Sequence, residues 1–221
     1  MHIYKILFFI MSLSPAIHSF EEGSVFNEDV KIIYRDYGPK DAEPILLVQG
    51  LGGQLINWPD HLIDFLISNN FRPIVFDNRD TGLSSRLTDD RFAESNRSKT
   101  INSTYLKYYF RLPINPPYTL DDMASDAILI LDKLDIDKTH LLGMSMGGMI
   151  AQIIAANHPE RINSFTLIAS SISAPSPLNG PTRDVRRLLM KRSENPYSTN
   201  DERIERSKKI FSLIGLEGYN L

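Results

Sequence analysis

The 221-residue sequence contains no cysteine. That absence excludes a disulfide framework, a thiolate nucleophile, a cysteine-ligated metal and a lipoprotein anchor. An excess of positive charge is also missing, since 24 Lys and Arg against 27 Asp and Glu leave a net charge of −3. Without a basic footprint to displace counterions from phosphates, nucleic acid is excluded as an expected partner. No apolar run approaches the roughly 20 residues that a bilayer span requires, so no stable membrane span is expected. What remains is an ordinary mixture, 42% hydrophobic and 23% charged. Such a chain is too apolar to stay disordered and long enough to bury the core of about one domain.

The N-terminus stands apart. Lys5 precedes the apolar run Ile6-Leu7-Phe8-Phe9-Ile10-Met11, and the small residues Ala16 and Ser19 follow Pro15. A positive start, a short apolar stretch and a small-residue exit read as a cleavable signal peptide over residues 1–19, which implies export to the periplasm or beyond. The competing reading is an uncleaved extension packed on the domain.

From Glu21 to Ser170 short apolar runs alternate with amphipathic stretches. Residues around Lys31-Ile32-Ile33-Tyr34 suggest an opening hairpin closed near Tyr37-Gly38-Pro39. Ile45–Val48, Pro73–Phe76, Thr139–Leu142 and Phe165–Ile168 read as buried strands. Trp58, Leu62, Phe65 and Leu66 recur at helical spacing. So do Met123, Ala127, Ile128, Leu131 and Leu134, behind a Thr119–Asp122 pair that resembles a capping box. Met149, Ile150, Ile153 and Ile154 line a further helix that stops before Pro159. Between them a polar, turn-rich connection runs from Asn78 to Tyr118 and holds Tyr105, Tyr108, Tyr109 and Phe110. Strands alternating with helices predict an α/β fold, a mostly parallel sheet covered on both faces.

Ligands of such sheets bind beyond the carboxyl ends of the strands, and three of those ends carry signals. Gly143-Met144-Ser145-Met146-Gly147-Gly148 has the form G-x-S-x-G between a predicted strand and a predicted helix. The elbow glycines Gly143 and Gly147 suit a tight corner that puts Ser145 in strained backbone with its hydroxyl above the sheet. The Met146 amide, at the helix start, is then free to bind an oxyanion. By chance the pattern arises in roughly one chain in fifteen of this size, so its strand–turn–helix setting carries the weight. The competing reading is a helix-start serine with packing glycines.

The second signal is Gln49-Gly50-Leu51-Gly52-Gly53 after the first buried strand, whose Leu51 amide is a candidate second oxyanion donor. It lacks the Lys-Ser/Thr of a phosphate loop and the spacing of a dinucleotide fingerprint. The third is Asp77-Asn78-Arg79-Asp80-Thr81-Gly82-Leu83-Ser84. Two aspartates around an arginine look chemical, but a buried ion pair and a turn at Gly82 explain them and carry more weight.

Taken in order, these motifs resemble a known family. The Gln49 loop, Asp77-x-Arg-x-x-Gly-x-Ser84, Tyr118-Thr-Leu-Asp-Asp-Met-Ala124, the stretch from Gly143 to Gln152 and His158-Pro-Glu-Arg-Ile162 are together similar to the α/β-hydrolase fold superfamily. The nearest branch is that of cap-bearing esterases like aclacinomycin methylesterase. The resemblance implies Ser145 as nucleophile, the Leu51 and Met146 amides as the oxyanion hole, a small-molecule ester as substrate, and no metal or organic cofactor. It disfavours dehalogenases and epoxide hydrolases, which carry aspartate at the serine position. Gln49 stands where many relatives have histidine, a structural position.

The resemblance also implies an acid and then a histidine after Ser145. Of the five histidines, only His140 and His158 lie beside or after it, one in a strand and one at a helix end, and His61 sits on the first helix. All three read as structural or surface residues. Ala174–Pro181 reads as a linker and residues 175–221 as the start of a helical cap. The expected division is therefore a leader over 1–19, the N-terminal part of the hydrolase core over 20–174, and the beginning of the cap. On this reading the chain is a fragment, inactive alone because an unassisted serine hydroxyl is a weak nucleophile. The alternatives are a short, non-catalytic binding protein and a half completed by a second chain.

Overall fold

A computed structural model of the chain describes residues 19–87, 103–104 and 106–171. The expected leader up to His18, Tyr105 of the aromatic cluster, and the expected linker and cap lie outside the described residues. Six strands form one sheet in the order β1-β2-β4-β3-β5-β6. They are β1 (Phe20–Asn27), β2 (Val30–Tyr37), β3 (Glu43–Val48), β4 (Phe71–Phe76), β5 (Thr139–Met144) and β6 (Ile162–Ile168). β3 to β6 are parallel to their neighbours, and the β1–β2 hairpin joins β4 in antiparallel sense. Helices α1 (Asp60–Ser68), α2 (Leu120–Lys133) and α3 (Met146–Asn157) complete the alternation. No helix among the described residues is long and apolar enough to cross a membrane.

Both faces of the central strands are dry because their apolar runs are continuous. Leu46, Val48, Ile74, Phe76 and Leu141 point to the face covered by α2 and α3, where Ala127, Ile130, Leu131, Ile150 and Ile154 meet them. The alternate residues Ile45, Leu47, Val75 and Leu142 point to the other face, against Ile63, Leu66, Leu55 and Trp58. A fully buried Leu or Ile is worth about 1.5–3 kcal/mol, so this two-sided alternation supplies most of what holds the layers together.

Three details differ from the sequence reading. The opening hairpin turns at Glu28-Asp29, with Glu28 at φ 53°. Tyr37-Gly38-Pro39 instead begins the link from β2 to β3, with Gly38 at φ 77°. On α1 the inward residues are Ile63 and Leu66, and Phe65 is 62% exposed, because the helix starts only at Asp60 and Trp58 packs from the turn before it. Among the described residues β6 pairs with β5 alone, and its residues are exposed or half-buried rather than buried.

Two polar devices stabilise the frame. Arg72 grips Asp36 with Nε to Oδ1 at 2.9 Å and Nη2 to Oδ2 at 2.8 Å, tying β4 to β2, and Lys40 joins the same carboxylate. Burial pushes the Asp36 carboxyl up, but the hydrogen bonds and charges of Arg72 and Lys40 outweigh it and hold the group below its ordinary value. Its contribution is therefore complete above the ordinary aspartate range and is lost as pH falls through the native value.

The second device is the capping box of α2. Thr119 N–H donates to Asp122 Oδ2 at 2.6 Å and Asp122 N–H donates to Thr119 Oγ1 at 3.3 Å. Thr119→Ala removes an N-cap and is expected to cost about 1 kcal/mol, read as a lower midpoint in urea with an unchanged slope. The hydrogen bonds from Thr119 also hold the Asp122 carboxyl below its usual value. The variant's deficit should accordingly shrink as acid protonates Asp122 in the parent protein.

Candidate active site

β5 ends at Met144 and α3 begins at Met146, so Ser145 stands alone at the corner between them. Its φ of 54° and ψ of −121° fall in sparsely populated backbone space, at a cost of order 1–3 kcal/mol. The surroundings hold it there. Ser145 N–H donates to the Ile168 carbonyl at 2.9 Å, and Ser170 Oγ donates to the Ser145 carbonyl at 2.8 Å. The side chain at the apex is exposed.

The elbow glycines are required by close approach of backbone to backbone. A Cβ on Gly143 would lie 2.6 Å from the Gly147 carbonyl oxygen, and one on Gly147 would lie 2.1 Å from that of Val48. The second contact presses the start of α3 against the end of β3. There Gly50 also meets the elbow, since a Cβ on it would lie 3.0 Å from Ser145 Cβ and 3.6 Å from Ser145 Oγ. Leu51 comes next, with an 85% exposed side chain. No described group accepts its N–H. Met146 is the first residue of α3 and has no intrahelical acceptor for its own N–H, which lies at the positive end of the helix dipole. Of the two amides expected from sequence, Leu51 follows the glycine that meets the serine, and Met146 follows the serine itself at the start of α3.

The end of β4 supports the Gln49 loop and its own following turn. Asp77 accepts the Leu55 N–H at 2.7 Å with Oδ1 and the Leu83 N–H at 2.9 Å with Oδ2. Asn78 Nδ2 donates to the Gln49 carbonyl at 3.1 Å. Arg79, 6% exposed, is paired with neither flanking aspartate. Its Nε and Nη2 donate to the two carboxylate oxygens of Asp126 on α2 at 2.8 and 2.6 Å. Burial and a hydrogen bond with Asp80 push the Tyr118 hydroxyl well above its ordinary range. Asp77, Asn78, Arg79 and Asp80 thus fasten the loop from Gln49 to Leu55, the turn at Leu83, α2 and Tyr118, which is the structural reading of this motif. In the last motif, Arg161 donates to the carbonyls of Asp137 and Ile136 at 2.8 Å and pairs with Asp132 at 2.8 Å, fixing the turn after α2.

None of the described histidines accompanies Ser145. His140 Nδ1 lies 2.7 Å from Ser164 Oγ and its Nε2 3.2 Å from Glu43 Oε2. This serine–histidine–glutamate chain links β6, β5 and β3 near their amino ends. His140 lies five positions before Ser145 along the strand, about 16 Å of rise. His158 Nδ1 lies 3.8 Å from Glu160, and His61 is exposed on α1. All three occupy the structural or surface positions expected from the sequence. What the sequence did not signal is the part of Ile168, the last residue of β6, and of Ser170 just beyond it, which buttress the corner.

Comparison with known proteins agrees with this architecture. Residues 43–202 match the family model described as alpha/beta hydrolase fold. The chain is 27% identical over 209 residues to rhodomycin D methylesterase of Streptomyces peucetius, covering 88% of this chain and 62% of that protein. It is 29% identical over 195 residues to the rhodomycin D methylesterase of Streptomyces sp. (strain C5), covering 81% and 57%. A third relative, 3-oxoadipate enol-lactonase 2 of Acinetobacter baylyi, is 27% identical over 136 residues, covering 62% of this chain and 40% of the enzyme. The chain thus spans less than two thirds of the length of each. Among solved structures, a carboxylesterase of Nitrososphaera gargenis superposes with a TM-score of 0.57 at 19% identity, covering 86% of this chain and 66% of the other. A thioesterase domain from the curacin biosynthetic pathway gives 0.54 at 19% identity, covering 72% and 50%. At that identity the likeness speaks for the fold alone. The chain belongs to the α/β-hydrolase fold family.

Proposed function

We propose that this chain carries the nucleophile and oxyanion hole of a carboxylic ester hydrolase acting on a small-molecule ester. The observation that carries the reading is the backbone of Ser145, at φ 54° and ψ −121° with an exposed side chain at the start of a helix. Strain of this kind persists only where the surroundings impose it, and here it lifts a hydroxyl clear of the sheet. Similarity to two methylesterases and an enol-lactonase, all named for ester chemistry, supports the same class.

In the reaction, Ser145 Oγ attacks the ester carbonyl carbon while a base takes its proton. Negative charge moves to the carbonyl oxygen, where the Leu51 and Met146 N–H groups receive it. Collapse breaks the bond to the alcohol, which leaves with the proton from the base, and Ser145 retains the acyl group. Water, deprotonated by the same base, attacks that acyl ester and releases the carboxylic acid and the free serine. The three described histidines are placed away from Ser145, so on this reading the base is none of them.

A fluorophosphonate probe tests this, because it captures only an activated serine. The protein isolated from its source should label once per chain, and Ser145→Ala should abolish labelling. Labelling at another serine, or none, would sink the proposal. The 221-residue chain alone should not label, and stoichiometric labelling of it would show that the base lies within it. The placement of the described histidines also favours a second reading, a non-catalytic binding protein. Absence of labelling in the source protein would decide for it.

A further inference from the structure

Asn78 is 2% exposed, yet its amide is only half used. Nδ2 donates to the Gln49 carbonyl at 3.1 Å, while Oδ1 is buried with no partner among the described residues. An orphaned buried acceptor costs about 1–3 kcal/mol; a leucine of similar shape would remove this one and leave the Gln49 carbonyl without its donor, so the two costs offset. Stability therefore does not account for an amide at this position. The one bond it makes does.

That bond holds the entrance of the Gly50–Gly53 loop. β3 lies between β4 and β5 in the sheet. Asn78 reaches the Gln49 carbonyl from the β4 side, and Gly147 closes on the same oxygen from the β5 side, where a Cβ would come within 2.6 Å. Donor and backbone together fix the plane of the peptide between Gln49 and Gly50. The next plane is set by the turn in which Gly53 N–H donates to the Gly50 carbonyl at 3.0 Å. A planar trans peptide carries its N–H opposite its carbonyl, so this turn directs the Leu51 N–H away from Gly53. The loop's exit is held by Asp77 through the Leu55 N–H. Asp77 and Asn78 directly follow β4, and the consecutive pair grips the two ends of one loop.

We propose that Asn78 is a positioning residue for oxyanion binding, orienting the Leu51 N–H through the Gln49 carbonyl. The inference rests on the reading of Leu51 as an oxyanion donor, but its test has a readout independent of catalysis. Nitrogen-15 relaxation of the chain should give order parameters for Gly50 and Leu51 near the rigid value of about 0.85, falling below about 0.6 in Asn78→Leu. The thermal midpoint of that variant should change little. Asn78→Asp supplies a second test within one folded protein. A carboxylate cannot donate to the Gln49 carbonyl but a carboxylic acid can, and burial raises the pKa of the introduced group. Loop order should accordingly be low at about pH 8 and recover towards about pH 5. In the source protein, kcat of Asn78→Leu should fall about 10- to 100-fold with KM nearly unchanged, part of the 10²–10³ that loss of an oxyanion donor costs.

Unchanged order at Gly50 and Leu51 in both variants would overturn the positioning role, whatever happens to the rate. A raised KM with kcat intact would overturn it too. Loosening of the loop in a protein that hydrolyses no ester would support the positioning role and remove the hydrolase reading instead.

Discussion

Replacing Asp126 by alanine should destabilise the domain by about 3–5 kcal/mol, a large part of the 5–15 kcal/mol that a domain of this size has. The carboxylate is 1% exposed and accepts three hydrogen bonds, two from Arg79 and one from Asn27 Nδ2 at 2.8 Å. Its removal leaves a guanidinium buried with a 3.4 Å contact to the Asp122 carbonyl and the Tyr118 ring at 5.3 Å. Neither replaces a counter-charge. Breaking a buried pair costs far more than never having had one, because the surviving charge remains out of water. The double variant Arg79→Met with Asp126→Leu should therefore recover most of the loss. Urea unfolding of the single and double variants measures both quantities. A loss below about 1 kcal/mol for Asp126→Ala would mean that water reaches Arg79 and that the pair behaves as a surface one.

That pair also marks where the sequence stops being readable. Arg79 and Asp126 are 47 positions apart, and nothing local to Arg79 names its partner, so the two flanking aspartates attract attention that belongs elsewhere. The strands β3, β4 and β5 are legible because burial on both faces demands uninterrupted apolar runs, and Leu46 and Leu47 are both fully buried on opposite faces. β6 reads as a strand in the same way from Phe165-Thr166-Leu167-Ile168, and its residues are exposed or half-buried because among the described residues only β5 pairs with it. The first hairpin hides its turn, since Glu28 takes a positive φ that the sequence would ordinarily announce with glycine or asparagine.

At the site, the elbow is legible because its backbone geometry restricts residue type: a strained apex, and glycine at Gly143 and Gly147 where other backbone comes close. The two amides follow from it. The supports do not, because Asn78, Ser170 and Ile168 act through single hydrogen bonds that many residue types could form. Such contacts depend on the distance between loops, which only the assembled sheet sets.

Gly147→Ala should be strongly destabilising, and its sign separates two opposing effects. Gly147 lies inside α3 and does not take a positive φ. Helix propensity alone therefore predicts that alanine stabilises it by about 1 kcal/mol. Packing predicts the reverse. The added carbon would sit 2.1 Å from the Val48 carbonyl oxygen and 2.6 Å from that of Gln49. Both are backbone atoms at the end of a central strand, so no rotamer can relieve the overlap and α3 must move away from β3. Overpacking of a rigid site costs about 1–3 kcal/mol and occasionally more, and the absence of a flexible neighbour puts this case at or beyond the upper end. Gly52 provides the control, with φ 73° and no described atom within 4 Å of the position a methyl group would take. Gly52→Ala should show only the backbone penalty of about 1–2 kcal/mol. A Gly147→Ala variant as stable as the parent, or more so, would mean that the helix can retreat at no cost. The elbow would then not be held against the Gln49 loop, and the oxyanion geometry inferred from that contact would fall with it.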